Sequence, residues 1–123
     1  PFLPGLINPE KFPAWLKDED IDYLVKEFEA SGFRGPLNRY RNFHRDFAAA
    51  SRLAGTKITQ PALFMAGDRD VGIRMFGRDP ETRMRDHFAD LRGFHMIPGA
   101  GHWNQQEKPA ETNKLLIDWL KSL

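Results

Sequence analysis

Two residues in this sequence stand where chemistry is usually done. Asp70 lies in Ala66-Gly67-Asp68-Arg69-Asp70, directly after the apolar run Pro61-Ala62-Leu63-Phe64-Met65. His102 lies in Gly99-Ala100-Gly101-His102-Trp103, followed by Glu107 and Pro109. An acid just past a buried strand, with a histidine about thirty residues later, forms the trailing two thirds of a nucleophile–acid–His triad. In such a pair the carboxylate fixes the imidazole tautomer, and the other ring nitrogen takes a proton from water or a nucleophile. Asp68 is the rival acid, able to cap the turn instead. No Gly-x-Ser-x-Gly or comparable nucleophile turn occurs in the 123 residues. The chain is therefore expected to be the C-terminal part of an enzyme.

The elements that must position these residues follow from periodicity. Pro1, Pro4, Gly5, Pro9 and Pro13 exclude a long helix or a central strand over residues 1–16, because proline removes donors and fixes φ. With Phe2, Leu3, Leu6, Ile7, Phe12, Trp15 and Leu16, that segment reads as an irregular arm needing something to lie against. Asp18, Glu19 and Asp20 suit a helix start. Ile21, Leu24, Val25 and Phe28 continue it as a helical stripe, and Gly32 stops it. Pro36 opens a second helix carrying Leu37, Tyr40 and Phe47, so the two form a helical hairpin. After Ala54-Gly55-Thr56 the composition changes. The run within Ile58–Ala66 predicts a strand buried on both faces. Asp79-Pro80-Glu81 opens a helix with Met84, Phe88 and Leu91. Gly93–Ile97 predicts a second strand. Pro109 opens a last helix whose buried face is marked by Thr112, Leu115, Leu116, Trp119, Leu120 and Leu123.

Strand–helix–strand–helix order predicts a parallel sheet covered by helices, an α/β class. Two strands do not make a stable parallel sheet alone, so further strands are expected from elsewhere. In such sheets functional groups collect at the carboxyl ends of strands. Neighbouring strands lie about 5 Å apart, so the two loops can bring Asp70 and His102 together. Gly67, Gly99 and Gly101 permit the tight turns that aim them.

Composition limits the alternatives. Lys and Arg number 18 against 17 Asp and Glu, for a net charge of +1, so neither a nucleic-acid nor a membrane partner is signalled. With no cysteine, disulfides and thiolate chemistry are excluded. No apolar run approaches the roughly 18 residues a bilayer span needs. His44, His87 and His95 form no metal-ligand spacing with carboxylates, and Gly99-Ala100-Gly101 is not a phosphate loop.

The residues resemble those of a family. Gly67-Asp68-Arg69-Asp70 and Gly101-His102-Trp103-Asn104-Gln105-Gln106-Glu107-Lys108-Pro109 are similar to the C-terminal segment of the α/β-hydrolase fold. Ser31-Gly32-Phe33-Arg34-Gly35-Pro36-Leu37-Asn38-Arg39-Tyr40-Arg41-Asn42 resembles the end of the cap domain in soluble epoxide hydrolases. The resemblance runs from about Phe12 onward. It implies that residues 1–54 end a helical cap and residues 55–123 form the last strands and helices of the α/β-hydrolase core. It implies addition of water to an epoxide, giving a vicinal diol through a covalent alkyl-enzyme ester. The catalytic set would be Tyr40, Asp70 and His102: Tyr40 protonates the epoxide oxygen, His102 activates the water that hydrolyses the ester, and Asp70 orients His102. Arg39 (where the family often has Trp) and Trp103 are the substrate-pocket candidates. The nucleophilic aspartate, the oxyanion-hole amides and a second cap tyrosine have no match here. The implied partners are a small-molecule epoxide and an N-terminal portion of the same enzyme, with no nucleic acid and no membrane. A homo-oligomer is compatible with this, no cofactor or metal is implied, and a cytoplasmic location is the corresponding expectation. Alternatives are another α/β-hydrolase, such as an esterase or a haloalkane dehalogenase, and a catalytically incomplete fragment or interaction module.

Overall fold

The carboxyl ends of two strands carry the loops of interest. A computed structural model describes residues 5, 7, 9–75, 77 and 79–123, without the side chain of Arg74. Pro1, Phe2, Leu3, Pro4 and Leu6 of the expected arm lie outside the described residues. Within the arm Ile7 and Phe12 are exposed. The chain divides into two compact units, Pro1–Phe47 and Ala48–Leu123.

In the first unit α1 spans Asp18–Ser31, with Asp18, Glu19 and Asp20 in its first turn. The Asp20 carboxylate accepts from the Lys17 N–H at 2.9 Å, closing the orphan end of the helix. Gly32 ends it with φ 68° and its N–H donating to the Phe28 carbonyl, a conformation that costs glycine nothing. Phe28 and Phe33 stack across this turn at 4.6 Å. Ile21, Leu24, Val25, Phe28 and Phe33 line one apolar groove. The second helix is shorter than the sequence predicts. It runs Arg34–Arg41 as α2, breaks at Asn42, and resumes as α3 over Phe43–Ala50. Phe47 is thus on a different helix from Leu37 and Tyr40. At Asn42 ψ is 0°, and asparagine tolerates such a break because its side chain competes with the helix for backbone groups.

The second unit opens with a 3₁₀ turn at Ser51–Leu53. Its sheet pairs β1, Ala62–Gly67, with β2, Leu91–Ile97, in parallel. Ile58 makes only an isolated bridge to Phe88, because Pro61 has no N–H to extend the ladder. The register shifts between Ala62 and Leu63, which pair with Leu91 and Gly93. A side chain at Gly93 would press on Leu63 Cδ1. Phe64 and Phe94 stack across the strands at 4.9 Å. Both strands are otherwise half-buried, with Ala66, Gly67 and Ile97 buried and Arg92 exposed. The expectation of a strand buried on both faces is therefore not met within this chain, since a two-stranded parallel sheet has too few neighbours to cover it.

Short α4, Val71–Arg74, follows β1, and α5 spans Pro80–Arg85. Asp79 caps α5 by accepting from the Thr82 N–H at 3.0 Å, with Pro80 at the first helical position. Phe88 and Leu91, expected on this helix, lie beyond it, at the Ile58 bridge and in β2. Short α6, Asn104–Glu107, leads into α7, Pro109–Leu120. Helix α7 lies against both strands. Thr112 on it is buried, whereas Leu116, Leu120 and, just past it, Leu123 are exposed. Half of its expected buried face is thus uncovered in this chain. Among the described residues no helix is long and apolar enough to cross a membrane.

Candidate active site

Both loops begin where the strands end, and a close backbone contact fixes them to each other. Arg69 N–H donates to the Ala100 carbonyl at 2.9 Å, and Asp68 N–H to the Ile97 carbonyl at 3.1 Å. Gly67 sits so near the Ala100 and Gly101 carbonyls that any side chain there would collide with backbone. Gly99 adopts φ 73°, the left-handed turn that lets the chain leave β2 sharply. Ala100 is fully buried between the loops.

Asp70 is the residue before α4 and caps it. Its Oδ1 accepts from the Gly72 N–H at 2.7 Å, and its Oδ2 lies 3.0 Å from His102 Nδ1. Only 7% of Asp70 is exposed. Burial opposes its ionisation, yet the hydrogen bonds from His102 and the Gly72 N–H outweigh that and hold the carboxyl below its ordinary value. At neutral pH Asp70 is therefore a carboxylate, an acceptor only. His102 Nδ1 must then carry the proton, leaving Nε2 as the free basic nitrogen. The imidazole itself is 70% exposed, with the Trp103 ring edge-on at 5.8 Å.

The rival acid has a different task. Asp68 Oδ1 accepts from the Gly99 N–H at 2.8 Å, tying the first loop to the second without touching the imidazole. Glu107 holds the loop from the other side. Its Oε2 accepts from Gly101 N–H at 2.6 Å and its Oε1 from Trp103 N–H at 3.1 Å. This clamp was not read from the sequence. Its signal is an acid in the first turn of α6 reaching back to the residue that starts the helix, much as in a capping box. Behind it Thr112 Oγ1 donates to the Asn104 carbonyl at 3.1 Å, both residues being buried.

Tyr40 and Arg39 belong to α2 in the first unit. The Tyr40 ring is exposed and packs edge-on against Phe43 at 5.6 Å. Trp103 is exposed beside His102. Asp70 and His102 are brought into contact. Tyr40 is in a separate unit and is described only there. Among the described residues no group of three His, Asp or Glu side chains could hold a metal ion.

No family model matches the chain. Relatives do. Epoxide hydrolase B of Mycobacterium tuberculosis (strain ATCC 25618 / H37Rv) is 44% identical over 119 residues, covering 97% of this chain and 33% of that protein. Bifunctional epoxide hydrolase 2 of Rattus norvegicus is 41% identical over 120 residues, covering 98% of this chain and 21% of its own length. Among solved structures, Epoxide Hydrolase A from Mycobacterium thermoresistibile superposes with a TM-score of 0.80 at 45% identity, over 92% of this chain and 34% of that one. An epoxide hydrolase mutant from Vigna radiata superposes at 0.81 and 29% identity, over 94% and 37%. The chain spans about a third or less of the curated relatives named here. The α/β-hydrolase fold and the resemblance to epoxide hydrolases both hold, and the chain corresponds to a C-terminal segment of those enzymes.

Proposed function

From its correspondence to the C-terminal segment of α/β-hydrolase-fold epoxide hydrolases, we propose that this chain supplies the water-activating half of an epoxide hydrolase. The observation that carries the reading is the 3.0 Å contact between His102 Nδ1 and the buried Asp70 carboxylate. That pairing aims Nε2 outward as a general base, and it costs no reorganisation when a water arrives. Tyr40 is assigned as the acid. A phenol, with a reference pKa of about 10, keeps its proton at neutral pH and can give it to the epoxide oxygen as the ring opens. An aspartate on an N-terminal portion, absent from these 123 residues, is the nucleophile. Its carboxylate attacks an epoxide carbon, the C–O bond breaks toward the Tyr40 proton, and an alkyl ester forms. Water deprotonated by His102 then cleaves the ester and releases the diol, and the proton left on the imidazole passes through solvent to the Tyr40 phenolate, restoring both groups.

In this scheme residues 1–54 end the cap and residues 55–123 finish the core. Arg39 and Trp103 are the candidates for contact with substrate, each in its own unit, the substrate is a small epoxide, and the partner is the nucleophile-bearing polypeptide. The test is a His102→Gln variant of the native particle mixed with an epoxide. The ester should accumulate on the nucleophile-bearing portion, seen as an added substrate mass by intact mass spectrometry, with diol release reduced at least about 100-fold. Undiminished turnover would sink the base assignment. Full epoxide activity in Tyr40→Phe would sink the acid assignment and favour another hydrolase of the same fold.

A further inference from the structure

The contacts that hold the His102 ring itself are the Asp70 carboxylate at Nδ1 and the edge-on Trp103 ring. The His102 side chain is 70% exposed, so packing does not select its rotamer, and the ring otherwise inherits its place from the backbone beneath it. That backbone lies in a loop between β2 and α6, with no strand or helix ladder at Gly101 or His102. In place of a ladder, alternate N–H groups are held by carboxylates. Gly99 donates to Asp68, and Gly101 and Trp103 both donate to Glu107. Glu107 therefore grips the residues immediately before and after the imidazole with one side chain. Gly101 makes room for this: a Cβ there would stand 2.9 Å from Glu107 Oε1, closer than the carboxylate tolerates in its present place. Glu107 itself is half-buried, and its position on α6 is backed by the buried Asn104–Thr112 contact.

We propose that Glu107 is a second positioning residue for His102, acting on its backbone as Asp70 acts on its ring, and that Gly101 is glycine so that the Glu107 carboxylate can reach both flanking amides. Its importance for ester hydrolysis rests on the epoxide-opening reading above, but the contact it controls does not. Loss of Glu107 frees the loop, and the imidazole leaves Asp70 for part of the time. Hydrogen bonds to a charged acceptor are among the stronger ones, so their loss is felt as a factor of ten or more in local opening.

The experiment follows the His102 Nδ1–H proton and the Gly101 and Trp103 amides by NMR. The chain carries nitrogen-15 in His, Gly, Trp, Phe and Met and is measured in whatever particle it purifies in. Asp70→Asn, which removes the charged acceptor, identifies the Nδ1–H signal by its shift or loss. Glu107→Gln keeps the shape but offers one acceptor oxygen in place of two. Gly101→Ala keeps Glu107 and displaces its carboxylate. Both variants are expected to speed exchange of the Nδ1–H proton and the Trp103 amide at least about tenfold, Glu107→Gln that of the Gly101 amide as well, while the Phe64, Met65 and Phe94 amides keep their protection. An unchanged Nδ1–H lifetime in a variant with intact strand protection overturns the proposal. So does parallel loss at the strands and at His102 in both variants, which would make Glu107 a general structural residue. No turnover is involved, so failure of the epoxide reading leaves this result standing, and failure here leaves diol formation to be judged separately.

Discussion

At the scale of the residue, the choice between two acids was made by distance. Asp68 and Asp70 are the first and third residues after β1, and their types allow either to face His102. Asp70 does so because it caps α4, which turns its second oxygen toward the imidazole. Its carboxyl has a reference value of 3.8 and a lower one in the fold. A lowered carboxyl stabilises the folded state fully above its reference value and ceases to do so as the pH falls through its folded value. The Asp70–His102 link is therefore expected to persist to below about pH 4 and then to release. Trp103 fluorescence, in a chain with Trp15 and Trp119 replaced by Phe, follows that release. Asp70→Asn should remove the acid step while leaving any other acid transition in place. An identical acid profile in the variant would show that Asp70 contributes nothing to it. Tyr40 was legible only through the surrounding Gly35-Pro36-Leu37-Asn38-Arg39-Tyr40 motif. By burial and ring contact alone it is an exposed tyrosine leaning on Phe43.

At the scale of the element, starts were easier to read than ends. Asp79-Pro80 and Pro109 mark helix starts because a cap or a fixed φ acts locally, and α5 and α7 begin there. Ends depend on what the chain meets next. The α2–α3 break at Asn42 hides inside a pattern whose spacing continues helically, and Phe88 and Leu91 fit a helix stripe until Ile58 and β1 respectively recruit them into pairing. Two expectations test these local causes. Asp79→Ala removes the bond to the Thr82 N–H and should lower the urea midpoint of unfolding, with no change in the His102 Nδ1–H signal. Gly67→Ala forces a methyl against the Ala100 and Gly101 carbonyls and should cost about 1–3 kcal/mol or more, because backbone cannot step aside as a side chain can. It should also break the Arg69–Ala100 contact, read as faster exchange of the Arg69 amide. Equal stability of Gly67→Ala and the parent would contradict the close approach of the loops.

At the scale of the whole molecule, the apolar surface is the deciding quantity. Leu116, Leu120 and Leu123 around α7, Leu24, Val25 and Phe33 in the first unit, and Ile7 and Phe12 in the arm are all exposed. Apolar area of this kind marks an interaction surface. The native particle is accordingly expected to exceed one 123-residue chain in mass and to contain a polypeptide with an aspartate nucleophile turn. Native mass spectrometry decides this, and a monodisperse single chain would leave the proposed reaction without its nucleophile. By itself the sequence determined the alternation of elements, the placing of Asp70 and His102 after the two strands, and the family resemblance carried by the Tyr40 and His102 motifs. These are properties of neighbouring residues, fixed by periodicity, capping and turn chemistry over a few positions. The tertiary structure alone decided which acid meets the imidazole, how the loops lock through Gly67 and Ala100, and that Glu107 holds both amides beside His102. Those outcomes rest on distances between segments some thirty residues apart, or on a carboxylate folded back over its own loop. Contacts of that kind exist only once β1 and β2 have paired and the chain has turned at Gly99.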